Sequence, residues 1–85
     1  MDKQSKNLYS ISYNPLWKLL IDKGISKPKL RDMTGIVPST MTKMQKNEYV
    51  SMDVLVRICS VLRCGISDVI EVYEGKAPTE DTVNE

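Results

Sequence analysis

Apolar residues recur three and four apart along residues 14–70, in short groups that end at a glycine or an asparagine. This spacing predicts helices. Leu16, Trp17, Leu20 and Ile21 fall on one face of a first helix, with Asn14 as its cap and Pro15 at its first position. A second, short helix begins near Ser26 and turns Leu30 and Met33 inward; Pro28 disfavours helical geometry at Lys27 and can move the start one residue later. Pro38 holds Val37 outside a third helix, which Asn47, tolerant of positive φ, can close. A fourth helix runs from cap Ser51 to about Arg63, and a fifth starts at cap Ser67 and carries Val69, Ile70 and Val72 inward. Three copies of one device separate them: "KGIS" at 23–26, "TGIV" at 34–37 and "CGIS" at 64–67. In each, a left-handed glycine would stop a helix and the following isoleucine would pack back on its last turn. The expected fold is all-α, a five-helix domain.

The flanks read differently. "LYSISY", from Leu8 to Tyr13, alternates as a strand does, while "KAPTEDTVNE" at 76–85 has too few large apolar residues to pack. The chain divides into an arm at 1–12, flexible or a short strand, a helical domain at 13–74, and an acidic disordered tail at 75–85. With 85 residues there is room for one domain, whose core buries only about 60% of the unfolded surface. No apolar run approaches a membrane span and no signal-peptide pattern opens the chain, so a cytoplasmic protein is expected. Cys59 and Cys64 occur without any histidine, which removes the usual zinc constellations and histidine-based triads. Both cysteines read as small packing residues, and neither a metal nor a cofactor is expected.

The net charge of +1 hides an asymmetry. Residues 1–67 hold eleven Lys or Arg against five Asp or Glu, whereas residues 68–85 hold one Lys against six acids. A basic body favours a polyanionic partner. Projected at about 100° per residue, the third helix has a core side of Val37, Met41 and Met44 and an opposite side of Pro38, Ser39, Thr42, Lys43 and Lys46, with no acid. Such a helix suits a major groove about 12 Å wide: small hydroxyl residues let the backbone approach, and lysines donate to guanine edges or phosphates. A solvated helix face would have the same composition.

From Tyr13 to Val72 the chain resembles the Cro and phage-repressor type of helix-turn-helix domain, the Xre-like regulators. The resemblance is carried by "GISKPKLRDMTGIVPSTMTKMQKN" and "SMDVLVRICSVLRCGISDVI". It implies a lambda-repressor-like fold and sequence-specific binding of double-stranded DNA by the third helix, with a role as a repressor or controller of transcription. On the matching positions, Pro38, Ser39, Thr42 and Lys43 would face bases, while Lys27, Lys29, Lys46, Asn47 and Tyr49 would hold phosphates. Leu20 and Gln45 occupy positions where many relatives hold a buried arginine and glutamate, an exchange that can be neutral for the fold.

Ser39 and Lys43 share a face, yet no general base or oxyanion stabiliser accompanies them, so the chain is not expected to be an enzyme. A rival reading is an antitoxin-like protein-interaction module with the same fold; an RNA-binding module fits less well, because no aromatic stacking platform is visible. No small-molecule ligand and no membrane partner are expected. A homodimer is expected, since one helix-turn-helix unit reads few base pairs. Leu8 and Ile11, or Val72 and Tyr73, could supply its interface, or these segments could close over their own core.

Overall fold

In this computed structural model, which describes residues 9–75, two strands and four α-helices follow one another. They are β1 (Tyr9–Ser12), α1 (Asn14–Lys23), α2 (Lys27–Thr34), α3 (Pro38–Gln45), α4 (Met52–Leu62), a 3₁₀ turn at Ile66–Asp68, and β2 (Glu71–Glu74). Leu8 of the expected dimer segment and the tail at 76–85 lie outside the described residues. The two strands pair antiparallel, with Ile11 opposite Val72 and Ser10 opposite Tyr73, so the two ends of the described chain are joined.

At the starts of α2 and α4 a serine hydroxyl satisfies one of the free N–H groups. Ser26 Oγ accepts from Lys29 N at 3.1 Å, and Ser51 Oγ accepts from Val54 N at 3.3 Å. Pro28 takes the second position of α2 without delaying its start at Lys27. In α1 the cap lies earlier than the expected Asn14: the helix starts at Asn14 itself, and Ser12 Oγ accepts from Asn14 N at 3.1 Å.

The core is formed by Tyr13, Leu16 and Leu20 from the first segment, Leu30 and Ile36 around the α2–α3 turn, Met41 and Met44 beneath α3, Leu55, Ile58 and Leu62 along α4, and Val69 after the 3₁₀ turn. Burying one such side chain fully is worth about 1.5–3 kcal/mol. Five residues expected inside lie outside, among them Ile66 and Val72, 46% and 63% exposed because the last segment is a 3₁₀ turn and a strand. Ile21 is 78% exposed because it sits about 140° around the helix from Leu16. Met33 is 40% exposed while Thr34 is buried, since α4 packs on the Thr34 side of α2. Val37 is 55% exposed because it is extended ahead of α3, where helical projection does not apply.

The fifth helix is corrected to a single 3₁₀ turn followed by β2. Asp68 Oδ2 accepts from Gly65 N at 3.1 Å and closes the turn, with the expected cap Ser67 inside it. Glu71–Glu74 then has a strand partner in β1, and Val72 and Tyr73 favour that geometry. The third glycine device also differs from the first two. Gly24 and Gly35 have φ of +69° and +77°, but at the end of α4 the left-handed residue is Arg63, φ 55°, and Gly65 is extended at φ −92°.

Alanine substitutions should therefore split the three glycines. A Cβ on Gly24 meets nothing within 4 Å and one on Gly35 meets only Arg57 Nη1 at 3.8 Å, so each variant should lose about 1–2 kcal/mol through its backbone conformation alone. Gly65→Ala should be neutral or stabilising by up to about 1 kcal/mol, because its conformation suits alanine. Urea unfolding of the three variants checks the split; a loss at Gly65 equal to that at Gly35 would contradict it.

Candidate nucleic-acid interface

The helix α3 is anchored from below and open above. Met41 and Met44, 4% and 0% exposed, fix its inner side in the core. Pro38, Ser39, Thr42, Lys43 and Lys46 are all exposed, as the sequence pattern implied. At its start Val37 O accepts from Thr40 N at 3.0 Å and Met41 N at 3.3 Å, and Val37 provides no side-chain cap. Thr42 Oγ1 donates to Pro38 O at 3.1 Å, so the hydroxyl proton is used within the helix and its lone pairs remain to accept. None of α1, α2 and α3 has an acidic residue in its first turn, whereas α4 has Asp53 there. The positive ends of those three helices thus have no acid of their own first turn to offset them.

The expected phosphate contacts occupy two places. Lys27 and Lys29 lie in the first turn of α2, exposed. Lys27, Pro28 and Arg31 form one wall of an open cleft of about 400 Å³, with Pro38, Met41, Thr42 and Gln45 of α3 as the other. Lys46, Asn47 and Tyr49 follow α3 and are exposed too, Tyr49 by 64%. Asn47 has the expected positive φ, 60°, and its side-chain oxygen accepts from Tyr13 N at 3.2 Å. That leaves its amide NH₂ to meet an anion.

Of the expected dimer residues, Ile11 and Val72 face each other across the sheet; Ile11 packs against the core and Val72 is 63% exposed. Tyr73 is half-buried opposite Ser10. Sequence reasoning missed four residues that shape the interface. Trp17, read as core, is half-buried with the Lys27 ammonium 4.4 Å from its ring centre. Arg31 lines the cleft. Buried Thr34 and the α4 residue Arg57 hold the turn between α2 and α3, Arg57 Nη1 donating to Thr34 O at 3.3 Å. Only Arg31 carried a signal, a basic residue one turn after Lys27; the others depend on contacts between elements.

The chain matches the model of a Cro/C1-type helix-turn-helix DNA-binding domain over residues 15–75. It is similar to a solved structure described as the transcriptional regulator VanUg, with a TM-score of 0.79 and 42% identity, over 87% of this chain and 99% of that one. No curated protein matches it. Among the described residues, no helix is long and apolar enough to cross a membrane.

The loop after α3 is held by Tyr13, whose hydroxyl donates to Glu48 O at 2.7 Å. Burial pushes the Tyr13 phenol above its ordinary value of 10.0, and a backbone hydrogen bond with Val50 draws it part of the way back. The unfolded chain therefore loses this proton first. The stability tied to the neutral phenol is complete below the ordinary value and is lost as pH rises through the folded one. Tyr13→Phe should cost about 1 kcal/mol at neutral pH by leaving Glu48 O without that donor, and should reduce the loss of stability above about pH 10. Urea unfolding of both proteins at neutral and alkaline pH tests this; parallel pH profiles would contradict it.

Proposed function

Because the chain belongs to the Cro/C1-type helix-turn-helix DNA-binding family, we propose that it is a sequence-specific transcriptional regulator, a repressor or controller, that lays α3 in the major groove of duplex DNA as a homodimer. The observation that carries this reading is the outer side of α3, where Pro38, Ser39, Thr42 and Lys43 are exposed on a helix whose opposite side is buried. These four residues read bases: Ser39 and Pro38 let the backbone come close, and Lys43 donates to a guanine edge. Lys27 and Lys29 ahead of this surface, and Lys46, Asn47 and Tyr49 behind it, hold the phosphates that fix its register. The transcriptional role is supported by the likeness to VanUg.

Two copies are needed because one α3 reaches only a few base pairs. A two-fold pair would read half-sites about 34 Å apart. The exposed Val72 on β2 is the apolar group nearest to hand for that contact, with Ile11 and Tyr73 beside it in the sheet and Leu8 preceding it.

Selection of bound sequences from a random duplex pool tests the function directly. The expected result is a palindromic consensus; a protein that enriches nothing and shows no salt-dependent duplex binding is not a DNA-binding regulator. On the selected site, Lys43→Ala should cost about 1–3 kcal/mol and relax preference at one base pair. Lys29→Ala should weaken all sequences alike and lower the salt slope by about one. Equal losses on specific and random DNA would remove Lys43 from base reading. Sedimentation of the full chain and of Val72→Ser tests the pairing: a dimer weakened by the substitution supports it, and a monomer that binds its best site one to one rules it out.

A further inference from the structure

We infer that Trp17 is a positioning residue for DNA binding: its ring holds the Lys27 ammonium at the start of α2, where a backbone phosphate is to be met. The inference rests on the DNA-binding reading above. Lys27 stands at the first position of α2, with Lys29 in the same turn and no acid there. A cation in that place is opposed by the positive end of the helix and by its neighbour, and would be driven away into solvent. The Trp17 indole opposes this. Lys27 Nζ lies 4.4 Å from the ring centre, inside the distance at which the negative face of an aromatic ring attracts a cation. Trp17 belongs to α1 and is itself half-buried against the core, so the ring is a fixed support rather than a mobile one.

Lys27 also lines the α2–α3 cleft with Arg31, Pro38 and Thr42, so its ammonium is held over Trp17 at the side of that cleft. A side chain already in place loses less freedom when it meets an anion. The ring leaves the charge intact, because it supplies no proton acceptor and no counter-charge. Trp17 thus acts through Lys27 and need not touch DNA.

The chain has one tryptophan, so biosynthetic replacement with fluorinated tryptophans alters Trp17 alone. Fluorine withdraws the negative charge from the ring face while nearly keeping its shape. Binding of the full-length protein to a short random-sequence duplex should weaken stepwise from tryptophan to monofluoro- to tetrafluorotryptophan, by about two- to fivefold in total. In the Lys27→Met protein, whose salt slope should be lower by about one, the same series should show no trend. A trend of equal size in both backgrounds, or none in the unsubstituted chain while duplex binding persists, would overturn the inference. Thermal unfolding of each form verifies folding, and the monofluoro form supplies the comparison by itself if the heavier analogue unfolds the protein. Complete absence of duplex binding by the unlabelled protein would instead overturn the function on which the inference rests, and is seen before any replacement is made.

Discussion

Everything outward from α3 depends on how the chain turns between Thr34 and Pro38. Thr34 is buried and uses its hydroxyl and its carbonyl to hold that turn. Its hydroxyl donates to Leu30 O at 2.7 Å and accepts from Ile36 N at 3.3 Å, while its carbonyl accepts from Arg57 Nη1 at 3.3 Å. Gly35 then reverses the chain at φ +77°, a conformation that side chains oppose. Ile36 enters the core and Val37, extended, hands over to Pro38. The direction of α3 relative to α2 follows from these few contacts. A hydrogen bond left unmade at a buried threonine costs about 1–3 kcal/mol, a large share of the stability of so small a domain.

Arg57 shows how electrostatics serves the same turn. It pairs with Asp53 one helical turn earlier, and the pair is largely exposed, so its ionic component is worth little by itself. Its value is directional: Asp53 steadies a guanidinium whose other arm reaches the end of α2, where carbonyls lack helical partners. The acid in the first turn of α4 is thus committed within the protein, and the first turns of α1, α2 and α3 have none to commit. Residues 1–67 carry eleven Lys or Arg against five Asp or Glu, an excess of six positive charges, and none of those acids lies in the first turn of α1, α2 or α3.

How far the sequence discloses this arrangement depends on the range of the interaction concerned. Ser26 and Ser51 as caps, Pro38 as a helix start and the left-handed Asn47 were all legible, because each is decided within four residues. So was the division of α3 into a buried and an exposed side, set by helical period alone. The segment after α4 was not. Val69, Ile70 and Val72 fit a helical spacing as well as a strand, and the choice was made by β1, which lies some sixty positions earlier in the chain. Trp17 reads as core and does pack against it, but the ammonium from α2 over its ring was not legible; hydrophobicity marks Met33 as an inner residue, whereas Thr34 is buried beside a guanidinium from α4. The base-facing residues are in effect easier to foresee than the residues that aim them, because the former are defined by exposure and the latter by contact.

The sheet gives the two ends of α3 an equal footing. By pairing with β2, β1 places Tyr13 at the entrance of α1, fully buried, with its backbone N–H on Asn47 and its hydroxyl on Glu48 O. The loop that leaves α3 is therefore tied to the start of the chain, as the loop that enters α3 is tied to α4 through Thr34. A helix of eight residues has little stability of its own in water. Held at both ends and packed from below by Met41 and Met44, α3 keeps its conformation while its outer side remains free of packing duties. The ordering cost of binding is then met largely within the fold, before any partner arrives. This is why a short recognition helix can tolerate a surface chosen for contact rather than for helix propensity, with a proline, a serine and two threonines among its first five residues.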